Sequence, residues 1–249
     1  MLRNSYIQMD GIGKGAEKSI WDFGIESWED AVAQLDRLPV SKTKKAAVEK
    51  GIDESAAHLK DEDHLFFAQR LPSAEHWRAY SEFSESVAFV DIETTGLAPG
   101  YDSITVVGIY DRKCAKTYVK GIDLEEIVPA LSKYKMLVTF NGARFDLPFI
   151  KREFPEIEFN HLHMDLMYPL KRIGYSGGLK SIERQLGIER DENVKNVDGF
   201  EAVRLWRRYE RGDEEALDTL LQYNKEDIVN LETIIHKVYP SFIRNCFEK

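Results

Sequence analysis

Two acids inside one apolar run constrain this chain more than any other feature. The run is Val87-Ala88-Phe89-Val90-Asp91-Ile92-Glu93-Thr94-Thr95-Gly96. Side chains alternate faces along a β-strand, so Asp91 and Glu93 share one face while Val90 and Ile92 turn into a core. Carboxylates held that close repel. A fold tolerates them where the strand runs out into water, or where a cation sits between them.

The remaining chain must supply a scaffold for that strand. With 249 residues, 43% of them hydrophobic and 11% aromatic, there is material for one or two globular domains. The formal net charge of −9 excludes a bulk polycation that coats nucleic acid, but not a local basic patch or a bound metal. No apolar run approaches the roughly 20 residues of a membrane helix, so no span is expected. The first residues lack a secretory pattern, which makes a cytoplasmic location the expectation. Cys114 and Cys246 sit in no metal-like spacing and are expected to be reduced and structural.

Pattern, rather than charge, divides the chain. Residues 1–86 lack strand-like alternation and read as short helices at 16–23, 28–35, 42–50 and 74–84. From residue 87 the pattern is α/β: strands at 87–92, 103–110, 116–119 and 136–140, with a helix at 124–134 before the last. Helices follow at 147–153, 179–186, 202–210 and 214–239. The expected fold is α/β, a mixed β-sheet flanked by helices over 87–249, preceded by an all-helical module over 1–86.

Two further clusters carry acids. In Thr139-Phe140-Asn141-Gly142-Ala143-Arg144-Phe145-Asp146-Leu147-Pro148 a strand ends, Asn-Gly turns, and a helix opens at Asp146. Taken alone, Asp146 reads most economically as that helix's N-cap. In Tyr223-Asn224-Lys225-Glu226-Asp227 the i, i+4 spacing presents the phenol and the last carboxylate on one helix face.

Together, Asp91-x-Glu93-Thr-Thr-Gly, Asn141-Gly-x-x-Phe145-Asp146 and Tyr223-x-x-x-Asp227 resemble the DEDD exonucleases of the ribonuclease H-like superfamily. The group includes polymerase proofreading domains, and the likeness is to its tyrosine subclass. It covers about residues 87–239, in family order, and all four acids are present. The resemblance implies a metal-dependent 3′-to-5′ exonuclease that releases nucleoside 5′-monophosphates from single-stranded DNA or RNA ends. It implies two ions held by Asp91, Glu93, Asp146 and Asp227, with Asp91 bridging both. A site of carboxylates without cysteine independently suits Mg²⁺ or Mn²⁺. Tyr223, protonated at neutral pH, would orient the attacking water. Thr94, Asn141 and Phe145 are candidate contacts to the terminal nucleotide; Asn141 reads equally as a turn residue and Phe145 as core. The alternative is a catalytically silent nucleic-acid-binding or assembly protein on the same fold.

Other signals are weaker. His161, His163 and Asp165 alternate onto one strand face and resemble the His-x-His-x-Asp-His core of metallo-β-lactamase-like hydrolases. Leu166 stands where the closing histidine belongs, so Asp165 is expected to cap a helix starting at Leu166. Ser176-Gly177-Gly178-Leu179-Lys180 opens a helix where Lys180 could meet a phosphate. Arg204, Arg207, Arg208 and Arg211 form one basic face, read as solvated and paired to Glu201 and Glu210, or as a backbone track. Residues 9–35, with Gly11-Ile12-Gly13, resemble a helix-hairpin-helix element. Such elements hold DNA phosphates on backbone amides or dock proteins, and both roles stay open.

Overall fold

The computed structural model describes residues 1–98 and 100–248. The amino-terminal part is helical, with α1 (Lys14–Asp22), α2 (Trp28–Ala33), α3 (Lys42–Lys60), α4 (His64–Arg70) and α5 (Tyr80–Phe83). Local chemistry sets their starts: Ser27 and Asp30 close a capping box on α2, and Asp63 accepts from the Leu65 and Phe66 amides at α4. Gly11 turns with φ +73° ahead of α1.

Two expectations for this part fail for identifiable reasons. Helix α3 runs to Lys60 rather than stopping near residue 50, because Gly51 is not a terminator; a methyl there would overlap the Met9 side chain, so glycine permits close packing instead. Residues 74–84 do not form one α-helix. A 3₁₀ segment, Ser73–Ala79, precedes α5 and buries Glu75, His76, Trp77, Arg78 and Ala79 in succession, which one face of an α-helix cannot do.

The sheet is built from β1 (Val87–Thr94), β2 (Ile104–Tyr110), β3 (Ala115–Val119), β4 (Met136–Thr139) and β5 (Leu162–Asp165), in the order β3-β2-β1-β4-β5. The pairs β1–β2 and β2–β3 are antiparallel, whereas β1–β4 and β4–β5 are parallel. Between and after the later strands come α6 (Ile127–Leu131), α7 (Asp146–Glu153), α8 (Met167–Arg172), α9 (Leu179–Gln185), α10 (Gly199–Tyr209) and α11 (Glu214–Glu248). The α6 region begins with a 3₁₀ turn and is shorter than the expected 124–134 helix. This is the expected α/β architecture of a mixed sheet flanked by helices.

Each sheet face has its own core. Ala88, Val90, Ile92 and Leu137 pack with Ile127, Phe149 and Ile150 from α6 and α7. Val87, Phe89, Met136 and Val138 pack with Ile228, Leu231 and Ile234 of α11, and Leu162 and Met164 of β5 join the same core. That second core continues without a break into Leu2, Tyr6, Ile20, Trp28, Phe67 and Phe83, so the amino-terminal helices share it. Beside it, Arg78 pairs with Glu17 at 2.8 Å and Glu75 at 2.9 Å, all three buried. The 3₁₀ segment lies along β5, where the His163 amide donates to His76 Nδ1 at 3.0 Å. No helix among the described residues is long and apolar enough to cross a membrane.

Candidate active site

Because Asp91 and Glu93 share a strand face with Phe89, they lie under α11 and not in the α6–α7 core. On α11, Tyr223, Asn224 and Asp227 are buried against that face. One carboxylate oxygen from each of Asp91, Glu93 and Asp227 falls within 4.8 Å of the others. Asn224 is fully buried, and its Nδ2 donates to Asp91 Oδ2 at 3.0 Å. The close approach of α11 depends on Gly108, which pairs with Asp91 in the sheet; a methyl there would overlap Asn224 Oδ1. Gly108→Ala should therefore push Asn224 off Asp91 and cost about 1–3 kcal/mol of stability, the usual range for overpacking. Chemical denaturation checks this, and an unchanged midpoint would contradict the packing described.

Asp146 is not an N-cap. It is the first residue of α7, and its Oδ1 accepts from the Ile92 amide of β1 at 3.2 Å, which ties the helix to the acid-bearing strand. Sequence-local capping loses here to a tertiary acceptor role. The loop before it is held from elsewhere: Asn141 adopts φ +64°, its amide donates to Asp165 Oδ1 at 2.7 Å, and the Ala143 amide donates to Asp165 Oδ2 at 3.1 Å. Asp165 also accepts from Met167 at 3.2 Å, but α8 starts at Met167 and not at Leu166, so its larger task is to shape the Asn141 turn.

The electrostatics are those of crowded, desolvated acids. Burial, reinforced by the neighbouring carboxylates, pushes Asp91 and Glu93 well above the ordinary carboxylate range. Burial raises Asp146 to about 7 and Asp227 to about 6, the latter opposed by Arg190. Burial and then the Asp227, Glu93 and Asp91 charges raise the Tyr223 phenol. Glu93 Oε1 is buried with no hydrogen-bond partner. An orphaned carboxylate oxygen among repelling acids, with no sulfur or imidazole in the cluster, fits a hard divalent cation.

The other candidate residues divide. Lys180 reaches the site, its Nζ 4.8 Å from the Tyr223 ring centroid. Thr94 is buried, with its hydroxyl donating to the Gly96 carbonyl. Phe145 packs partly against Phe149, at 4.9 Å between centroids. His161 and His163 are engaged by the Leu131 carbonyl and the Thr139 hydroxyl, outside the acid cluster. Arg204 pairs with Glu201 as expected, whereas Arg208 pairs with Asp213 rather than Glu210. Three residues escaped sequence reasoning: Asn224, Asp165 as loop support, and Arg190, which bonds Asp227 from the segment after α9. Only Asn224 carried a signal, its place inside the Tyr223–Asp227 motif.

Residues 88–239 match the family model of the RNase H superfamily, and the chain belongs to that superfamily. An uncharacterized protein of Methanocaldococcus jannaschii is 30% identical over 167 residues, which span 57% of this chain and 88% of that protein. Among solved structures, the family B DNA polymerase of the hyperthermophilic archaeon Pyrobaculum calidifontis aligns with TM-score 0.51 at 15% identity, over 62% of this chain. The alignment spans only 24% of that polymerase, so the likeness is one of fold. NrnC of Brucella melitensis aligns with TM-score 0.46 at 19% identity, over 68% of this chain and 79% of its own.

Proposed function

We propose that the protein is a metal-dependent 3′-to-5′ exonuclease acting on single-stranded DNA or RNA ends. The observation that carries this reading is the convergence of Asp91, Glu93 and Asp227 within 4.8 Å, with one buried carboxylate oxygen left unpartnered. Asp146 joins them electrostatically. In this reading the four acids hold two Mg²⁺ or Mn²⁺ ions. Those ions, when bound, supply Lewis-acid stabilisation of the phosphodiester oxygens and acidify water.

The chain's own side chains do the rest. The Tyr223 hydroxyl donates to the attacking water and aims it. Lys180 offsets phosphate charge beside that phenol. The Asn141 turn and Phe145 meet the terminal nucleotide, the first by hydrogen bond and the second by its ring, and Thr94 lines the strand end next to Glu93. Residues 87–249 form the nuclease unit, and the 9–35 hairpin serves as a secondary contact to nucleic-acid phosphate or to a protein.

A 5′-labelled single-stranded oligonucleotide, as DNA and as RNA, tests the proposal. With Mg²⁺ or Mn²⁺ the label should move down a ladder one nucleotide at a time while nucleoside 5′-monophosphates accumulate, and a chelator should stop it. Immediate release of the labelled mononucleotide would overturn the polarity, and internal cleavage as the first event would overturn the exonuclease reading. Binding without turnover in either metal would favour the catalytically silent alternative.

A further inference from the structure

Arg190 lies outside every motif, yet its side chain is only 5% exposed. Its Nε and Nη2 grip the two oxygens of Glu183 on α9, each at 2.7 Å, and Nη2 also bonds Asp227 Oδ1. Glu183 is buried too, and its Oε1 accepts from Asn230 Nδ2 at 2.8 Å, one turn beyond Asp227 on α11. The guanidinium is thus clamped from α9 and α11 at once, with its carbon 5.4 Å from the Tyr223 ring centroid.

We infer that Arg190 is a positioning residue for the metal site: anchored by Glu183, it fixes the rotation of the Asp227 carboxylate so that the acid cluster is arranged before a cation arrives. The inference rests on the metal-dependent reading above. A carboxylate free to turn about its Cβ–Cγ bond would have to lose that freedom on binding, which weakens affinity. Partners that orient metal ligands in this way are worth about 10–100-fold in metal affinity. The planar fork matters, since an ammonium in its place cannot hold Glu183 through two parallel bonds while reaching Asp227.

Mn²⁺ binding to the full chain, followed by the loss of free-ion signal in electron paramagnetic resonance, tests this without recourse to turnover. Arg190→Ala would strand Glu183 in the interior and could unfold the protein, so the variants are Arg190→Lys and Glu183→Gln, each checked for folding by circular dichroism. Both should weaken Mn²⁺ binding about 10–100-fold. In the cleavage assay the metal concentration for half-maximal rate should rise by the same factor, with a smaller change at saturating metal. If folded variants melt earlier yet bind Mn²⁺ within about twofold of wild type, Arg190 is only a structural tie and the inference fails. If wild type binds no Mn²⁺, the metal-dependent reading itself fails and takes the inference with it.

Discussion

Asp91→Asn is expected to lose at least about 1,000-fold in cleavage rate, well beyond the 10- to 100-fold typical of groups that merely support metal ligands. Asp91 is central to the cluster: Glu93 and Asp227 crowd it, and Asn224 holds its Oδ2. The same substitution should leave the metal-free fold at least as stable, because it replaces an acid whose ionisation the desolvated, crowded site opposes with a neutral amide. A carboxylate whose pKa is raised by folding keeps its proton where the unfolded chain has lost it. Its stability contribution is therefore intact below the ordinary carboxylate pKa and is lost as pH rises toward the raised value. Asp91, pushed well up by burial, behaves this way, as do Asp227 at about 6 and Asp146 at about 7. Metal-free wild type should accordingly melt at lower temperature at pH 8 than at pH 5, and Asp91→Asn should show a shallower decline. About 1.4 kcal/mol is at stake for every pH unit by which folding raises such a group. Cleavage at wild-type rate by the variant would remove Asp91 from the site. A steeper pH dependence would contradict the electrostatics.

Tyr223→Phe should keep Mn²⁺ affinity near wild type and lose about 10- to 1,000-fold in rate, the range for a positioned donor or proton-handling group. The phenol is raised by burial and by three nearby carboxylates, so it remains a donor throughout the neutral range. It lies buried on the same face of α11 as Asp227, one turn away. In the proposed reading it aims a water rather than taking a proton, so the pH–rate profile should contain no limb belonging to a tyrosinate. An unchanged rate at saturating metal would reduce Tyr223 to a packing residue between α10 and α11, where its neighbours Leu205 and Leu220 already form a core.

The acids were legible because their chemistry forces residue types onto fixed spacings: i, i+2 on a strand for Asp91 and Glu93, and i, i+4 on a helix for Tyr223 and Asp227. The sheet was legible for the same reason, since buried strands read as apolar runs. The missed features all depend on which distant segment arrives opposite a residue. Asp146 has the local look of a cap, and only the Ile92 amide from β1 gives its carboxylate a different partner. Gly51 has the look of a helix end, and only the close approach of Met9 shows that glycine is there for packing inside a continuing helix. Arg190 sits in a short charged stretch that any solvated loop could carry, and only the meeting of α9 with α11 buries it. The alternation of His161, His163 and Asp165 did mark β5, which the structure places at Leu162–Asp165.

The placement of the Ser73–Ala79 segment along β5 bears on what the sheet edge can pair with. A parallel sheet ending in a bare strand presents unpaired backbone groups on which another copy can add a strand. Here the His76 ring takes one of those amides, and residues from the amino-terminal helices cover the apolar neighbours of Leu162 and Met164. A fragment beginning at residue 87 would keep every acid of the site and lose that cover, leaving an adhesive margin next to an uncapped apolar face. Such a fragment is expected to self-associate, which size-exclusion chromatography against the full chain would show.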